Sequence, residues 1–89
     1  MDKEVPGQTA LDELDTVRVV RLLTPNRHFD SSYAEGRSPH VGDEGVIVYV
    51  HRQNSAPTLY TVESVDTNGY TLWLADFVPE ELSLIAKCN

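Results

Sequence analysis

Residues 42–51 read Gly-Asp-Glu-Gly-Val-Ile-Val-Tyr-Val-His, and this stretch decides the fold class. After the second glycine come five consecutive β-branched or aromatic residues, which favour extended backbone and pack well on a pleated surface. Gly42 and Gly45 flank two acids, which predicts a tight turn with both glycines at positive φ and both acids facing water. The stretch therefore predicts a strand over residues 45–51 with apolar side chains on both faces.

Four further strands are predicted around this one from β-branched content and alternation. Their ranges are 16–23 (TVRVVRLL), 58–65 (TLYTVESV), 70–77 (YTLWLADF) and 83–87 (SLIAK). The sequence Asp-Thr-Asn-Gly at 66–69 is a hairpin signal, because Asn-Gly suits the tight turns that join antiparallel strands. Residues 79–82 (PEEL) predict one helical turn that begins with proline.

The remaining segments predict loops and ends. Residues 24–42 have no period and hold two prolines and two glycines, so we expect a long loop, a feature that is often functional. Residues 1–10 are polar and predict a flexible N-terminal arm. Residues 11–14 predict a short helical turn with Thr9 as its N-cap.

This order of elements predicts an all-β fold. We expect a small SH3-like five-stranded barrel with a long first loop and one short helical turn before the last strand. It would form a single domain over residues 11–87, since 89 residues suffice for one small domain. Closing the sheet into a barrel would remove the edges that otherwise invite aggregation.

Composition excludes several classes of protein. Seven basic and 14 acidic residues give a net charge of −7, which repels nucleic acid overall and suits a basic protein partner. No apolar run approaches the about 18 residues of a membrane helix, and the first residues do not resemble a signal peptide. Cys88 is the one cysteine, so no internal disulfide can form. These features predict a cytoplasmic protein without a membrane segment.

Residues that could carry chemistry are scattered. His28, His40 and His51 have no metal-ligand spacing, and Cys88 lies at the far end of the chain, so we expect no metal and no cofactor. Adjacent acids such as Glu80 and Glu81 do not face each other on a helical turn. The sequence therefore predicts a binding protein rather than an enzyme.

Several short motifs resemble a family of small bacterial domains of about 90 residues with SH3-like or KOW-like barrels. They are LDTV at 14–17, VGDEGVIV at 41–48, LYTVE at 59–63, GYTL at 69–72 and PEEL at 79–82. The resemblance covers residues 11–86, and its most specific part is the Gly-Asp-x-Gly strand entry. Two departures are Ser64, where the family has Phe, and the longer loop over 24–41. The resemblance implies the barrel fold and, through some such domains, an antitoxin or immunity role; it carries over no catalytic residue.

We therefore expect a small acidic protein, an immunity protein or antitoxin, that neutralises a basic toxin by electrostatic steering and blockage of its active site. Two loop aromatics and six acids are predicted to face the partner: Phe29, Tyr33, Glu35, Asp43, Glu44, Asp76, Glu80 and Glu81.

Two alternatives stay open. In the first, the chain is a KOW-like accessory domain that binds RNA or a large complex through interleaved arginines and aromatics. The arginines concerned are Arg18, Arg21, Arg27, Arg37 and Arg52. In the second, an exposed sheet edge pairs two copies into a homodimer.

Overall fold

The computed structural model describes residues 10–31, 36–52, 54 and 56–88, and in these residues the fold is all-β. The elements are β1 (Thr16–Val19), β2 (Glu44–His51), β3 (Leu59–Val65), β4 (Thr71–Phe77), a 3-10 turn (Pro79–Glu81) and β5 (Leu82–Ala86). No helix among the described residues has the length and apolar character needed to cross a membrane. The predicted N-terminal arm lies outside the described residues except for Ala10.

The strands form one antiparallel sheet in the order β4-β3-β2-β1-β5. Strands β2, β3 and β4 follow one another as a meander, while β1 lies between β2 and β5. The hairpin between β3 and β4 turns at the predicted place: Gly69 donates its N–H to the Asp66 carbonyl at 3.0 Å and has a φ of +88°. Glycine suits this position because L side chains disfavour positive φ.

The sheet is not closed into a barrel, so the predicted closure is wrong. The free edge of β4 is met by the first loop instead of by β5. Asp30 and Leu74 exchange two backbone hydrogen bonds of 3.0 and 2.8 Å, and Arg37 donates its N–H to the Leu72 carbonyl at 3.1 Å. The loop thus covers part of the edge that closure would have removed.

The core lies on the inner face of this bent sheet. Strand β3 alternates as predicted: Tyr60, Val62 and Ser64 are buried, and Leu59, Thr61 and Glu63 are partly exposed. Trp73 and Phe77 of β4 are fully buried, and their ring centroids are 5.5 Å apart. Burial of large apolar side chains of this kind supplies most of the stabilisation of a small domain.

Two local predictions need correction. Strand β1 ends at Val19 and does not continue to residue 23, because the chain leaves the sheet there and Leu23 donates its N–H to the Glu81 carboxylate at 2.7 Å. Residues 11–14 form a non-helical turn, in which Leu14 has a φ of 73° and donates its N–H to the Ile47 carbonyl. Thr9, the predicted cap, lies outside the described residues.

The two glycines at the entry of β2 serve different purposes. Gly42 has a φ of +100°, as the turn prediction requires. Gly45 has no such φ; instead, a β-carbon there would lie 2.6 Å from the Glu63 carbonyl oxygen on β3. Gly45 is therefore needed for the close approach of two strands, which is the second use of glycine in sheets.

Gly45→Ala is expected to lower the free energy of unfolding by about 2–3 kcal/mol, because the added methyl group must displace the backbone of β3. Urea denaturation measures this change. Ser83→Ala on exposed β5 is the matched control and should change stability by less than about 0.5 kcal/mol. Equal midpoints for the two variants would contradict the close-approach argument.

Candidate functional site

The residues predicted to face a partner fall into three groups. The first group is exposed and consists of Glu44, Asp76 and Glu80. The second group is partly or fully buried and includes Asp43, which is partly buried, and Glu81, which is 1% exposed. Phe29 also belongs to the second group, because it is partly buried and packs against the core. The third group, Tyr33 and Glu35, lies outside the described residues. The predicted set is thus not one surface, because two of its acids belong to the interior.

The Asp43 carboxylate is the most heavily bonded of the acids. Arg37 donates to its two oxygens at 2.8 and 3.0 Å, and Trp73 donates its indole Nε1–H to Oδ2 at 2.9 Å. The His40 N–H adds a fourth bond at 2.9 Å. Burial raises the pKa of Asp43, but these hydrogen bonds outweigh burial and lower the pKa to about 2. The prediction that this side chain points to water is therefore wrong.

Glu81 holds the 3-10 turn against the first loop. Its carboxylate accepts hydrogen bonds from the N–H groups of Val78 at 3.0 Å and Leu23 at 2.7 Å, and it also binds Arg27. Burial raises the pKa of Glu81, but these bonds more than offset burial, so the pKa lies below its ordinary value. Because Glu81 is enclosed in this way, its carboxylate is unavailable to a partner in this structure.

Arg27 is buried with Glu81. Its side chain is 8% exposed, and its guanidinium lies 4.4 Å from the centroid of the Phe77 ring. The described residues supply no hydrogen-bond partner for its Nη1 atom. A buried charge held by one carboxylate and one aromatic face depends strongly on that carboxylate.

Asp15 is a third buried carboxylate, one that sequence reasoning missed. It accepts bonds from the Asp12 N–H at 2.8 Å, the Lys87 ammonium at 2.7 Å and the Cys88 N–H at 3.0 Å. Burial raises the pKa of Asp15, yet these bonds lower it overall, while Asp15 and Asp12 raise the pKa of Lys87. Asp15 therefore joins the two ends of the described chain.

Sequence signals existed for one of these three acids. Glu81 stands three residues after Val78 with proline between, the spacing at which an acid caps its own turn. Asp43 and Asp15 each have a partner three residues away, but the partners Trp73 and Lys87 are 30 and 72 residues away, and no local pattern indicates those contacts.

Exposed apolar side chains gather on the outer face of the sheet. Val46 and Tyr49 of β2 and Val65 of β3 are 36%, 54% and 51% exposed. The register places Val46 opposite Glu63, and Tyr49 opposite Thr61, which in turn faces Asp76. Together with Glu44 and Thr61, these residues form what we call the outer face: an apolar centre of Val46, Tyr49 and Val65 that Glu63 interrupts and that Glu44 and Asp76 flank.

A hydrogen-bonded chain crosses this face. The Thr61 hydroxyl donates to Asp76 Oδ1 at 2.5 Å, and His51 Nε2 lies 2.8 Å from the same hydroxyl oxygen. Because the hydroxyl proton goes to Asp76, His51 acts as a donor through Nε2. This order differs from a catalytic triad, in which histidine takes the proton of the hydroxyl.

Phe29 contributes to a groove on the loop side. The groove has a volume of about 590 Å³, and its apolar lining includes Leu22, Pro25, Phe29 and Pro39. Phe29 therefore both anchors the loop to the core and remains part of a concave surface.

The arginines of the RNA-binding alternative mostly serve the protein's own acids. Arg18 lies 2.7 Å from Glu44, Arg52 lies 3.8 Å from Asp12, and Arg27 and Arg37 bind Glu81 and Asp43. Four of the five are therefore within ion-pair distance of a carboxylate.

Metal-ligating groups are dispersed in the part of the chain that the structure describes. These residues contain no group of three or more His, Cys, Asp or Glu side chains that could hold a metal ion. His28 is paired with Asp30 at 3.4 Å, and Cys88 is exposed.

Comparison of the chain with protein-family models, curated proteins and solved structures finds no match. The resemblance to SH3-like and KOW-like domains therefore stays a prediction, and the site is argued from its own geometry.

A fall in pH should lower the free energy of unfolding, because Asp43 becomes protonated. A pKa lowered from 3.8 to about 2 stabilises the folded protein above pH ~4, and this contribution of about 2 kcal/mol is lost as the pH falls to 2. In Asp43→Asn, this part of the pH dependence should vanish. Urea denaturation between pH 6 and pH 2 measures it, with Glu80→Gln on the exposed surface as control; parallel curves for wild type and Asp43→Asn would refute it.

Removal of the buried Glu81 carboxylate should be costly. Glu81→Ala leaves Arg27 buried without its counter-charge, so the free energy of unfolding should fall by about 3–4 kcal/mol. Glu80→Ala, one residue earlier and exposed, should cost less than about 0.5 kcal/mol. The double variant Arg27→Met/Glu81→Leu should recover only the part of the loss that comes from the unpaired Arg27 charge, because the N–H groups of Val78 and Leu23 still lose their acceptor. Thermal and urea unfolding test all three, and equal effects at 80 and 81 would contradict the assignment.

Proposed function

We propose that this protein is a small acidic, non-enzymatic module that binds a basic protein through its outer face. The observation that carries the proposal is the exposed apolar centre of Val46, Tyr49 and Val65, with carboxylates within it and beside it. Protein interfaces combine a desolvated apolar centre, in which tyrosine is enriched, with a polar rim.

The charge of the chain supports the choice of partner. A net charge of −7 raises the rate of encounter with a cationic surface and repels other acidic proteins. Glu44, Asp76 and Glu63 lie where they would meet the basic rim of such a partner. Arg18 compensates only one of the three, Glu44.

The finer form of the proposal is an immunity protein or antitoxin that occupies the active site of a basic toxin. Its support is the sequence resemblance together with the small size and charge of the chain. We also propose that the protein is cytoplasmic. For the fold, we propose an open variant of the SH3-like barrel. The order of elements supports this: one strand, a long loop, a three-stranded meander, a 3-10 turn and a short strand.

The RNA-binding alternative has weaker support. Affinity for RNA needs basic side chains free to meet phosphates. Arg27 is buried, and Arg18 and Arg37 are bound to acids of the protein itself. A basic protein remains the partner that the charges favour.

Truncating the apolar centre should weaken binding. Tyr49→Ala/Val65→Ala is expected to raise the Kd for the partner at least tenfold, because it removes the central contacts of the interface. The measurement is capture of the partner from the native host with the tagged protein, followed by calorimetry with the purified pair. An increase in ionic strength should slow association, because steering by opposite charge is screened.

The control variant is Leu23→Ala/Val41→Ala, which removes exposed apolar side chains from the loop side. It should bind as wild type does. The proposal fails if the outer-face variant keeps full affinity, or if both variants lose affinity equally. A captured RNA whose binding survives the outer-face substitutions would favour the alternative.

A further inference from the structure

A cleft of about 380 Å³ lies beside the outer face, between β3, β4 and the first loop. Leu59 and Leu74 form part of its apolar lining, and Asp30 and Asp76 add two carboxylates. The position of Asp30 is well defined, because its N–H and carbonyl both bond to the backbone of Leu74. The cleft thus combines apolar walls with negative charge.

The two carboxylates retain capacity to bind a cation. Asp76 accepts one bond, from Thr61 to Oδ1, and Asp30 Oδ1 lies 3.4 Å from His28 Nε2. Within the described residues, no partner is recorded for the second oxygen of either carboxylate. Both side chains are exposed, so a cation can approach either of them from solvent.

Two other ionisable side chains line the cleft, His28 and Arg27, and His28 Nε2 lies 3.4 Å from Asp30 Oδ1. Arg27 contributes to the wall, but its guanidinium is bound to Glu81 and stacked on Phe77. That pair has no net charge, so Asp30 and Asp76 decide the sign of the cleft. An anionic occupant is therefore disfavoured and a cationic one is favoured.

We propose that this cleft receives a lysine or arginine side chain of the protein partner, an inference that rests on the proposed function. The aliphatic stem of such a side chain packs on Leu59 and Leu74 while its charged end meets Asp30 and Asp76. The cleft is continuous with the outer face, because Thr61 and Asp76 belong to both. A partner seated on Val46 and Tyr49 therefore has a long basic side chain within reach of the cleft.

The first test uses n-butylguanidinium as a probe for an arginine side chain. Titration into the ¹⁵N-labelled wild-type protein should give saturable shifts at the amides that line the cleft, with a Kd of ~10 mM for such an exposed pair. Asp30→Asn/Asp76→Asn should weaken binding at least ~5-fold. Glu13→Gln/Glu80→Gln removes the same charge at exposed positions outside the cleft and should leave the isotherm unchanged, and n-butanol should not saturate the cleft.

Two results would overturn the proposal: shifts that spread over the acidic surface without saturation, or equal isotherms for the two double variants. Each spectrum also shows whether the variant is folded. If Asp30→Asn/Asp76→Asn does not fold, the single substitutions at these two exposed positions take its place, each compared with Glu80→Gln.

The second test separates this inference from the proposed function. With the partner in hand, Asp30→Asn/Asp76→Asn should weaken the complex at least ~5-fold relative to Glu13→Gln/Glu80→Gln, a pair of exposed acids outside the outer face. If Tyr49→Ala/Val65→Ala weakens the complex and the cleft variant does not, the cleft inference fails alone. If the probe binds the cleft but the outer-face variant keeps full affinity for the partner, the proposed function fails while the cation site stands.

Discussion

The Asp43 carboxylate is the constraint on which the rest of the structure depends. It bonds at once to a fully buried indole, to a loop guanidinium and to a loop N–H. The main chain of the same residue also accepts the N–H of Val19. Asp43 therefore ties together the end of β1, the entry of β2, the core side of β4 and the first loop. Without it, the indole N–H would lose its acceptor in the interior, which is costly where water is excluded.

The acids of this chain divide by environment into two kinds with different consequences. Asp15, Asp43 and Glu81 each accept at least one backbone N–H and one cation, and each joins segments far apart in sequence. Glu44, Asp76 and Glu80 stay in water, where a single ion pair adds little stability. The few enclosed carboxylates therefore stabilise the fold, and the exposed carboxylates remain accessible from solvent.

The sequence predicted most of the sheet, because that information is local. The alternation in residues 58–65, the Asn-Gly turn and the proline before Glu80 correspond to β3, the hairpin and the 3-10 turn. Closure of the barrel was predicted from the number of strands and the pattern of their connections, and the family resemblance also implied it. It failed, and Asp30 and Arg37 of the loop bond to the edge of β4 instead. Loop pairing of this kind leaves no period in the sequence.

Dependence on contacts distant in sequence also explains why some of the predicted site acids are exposed and others are enclosed. Charge and type of residue do not tell whether a carboxylate is enclosed, because enclosure depends on distant partners such as Trp73 for Asp43 and Leu23 for Glu81. The apolar centre of the outer face was missed for a related reason. Residues 46–50 are apolar on both faces, a pattern typical of a strand covered on both sides or of a strongly bent barrel strand. The sheet has one packed face, so Val46 and Tyr49 remain in contact with solvent. These exposed side chains add no contact to the core, and the proposed binding role rests on their exposure beside the carboxylates of the outer face.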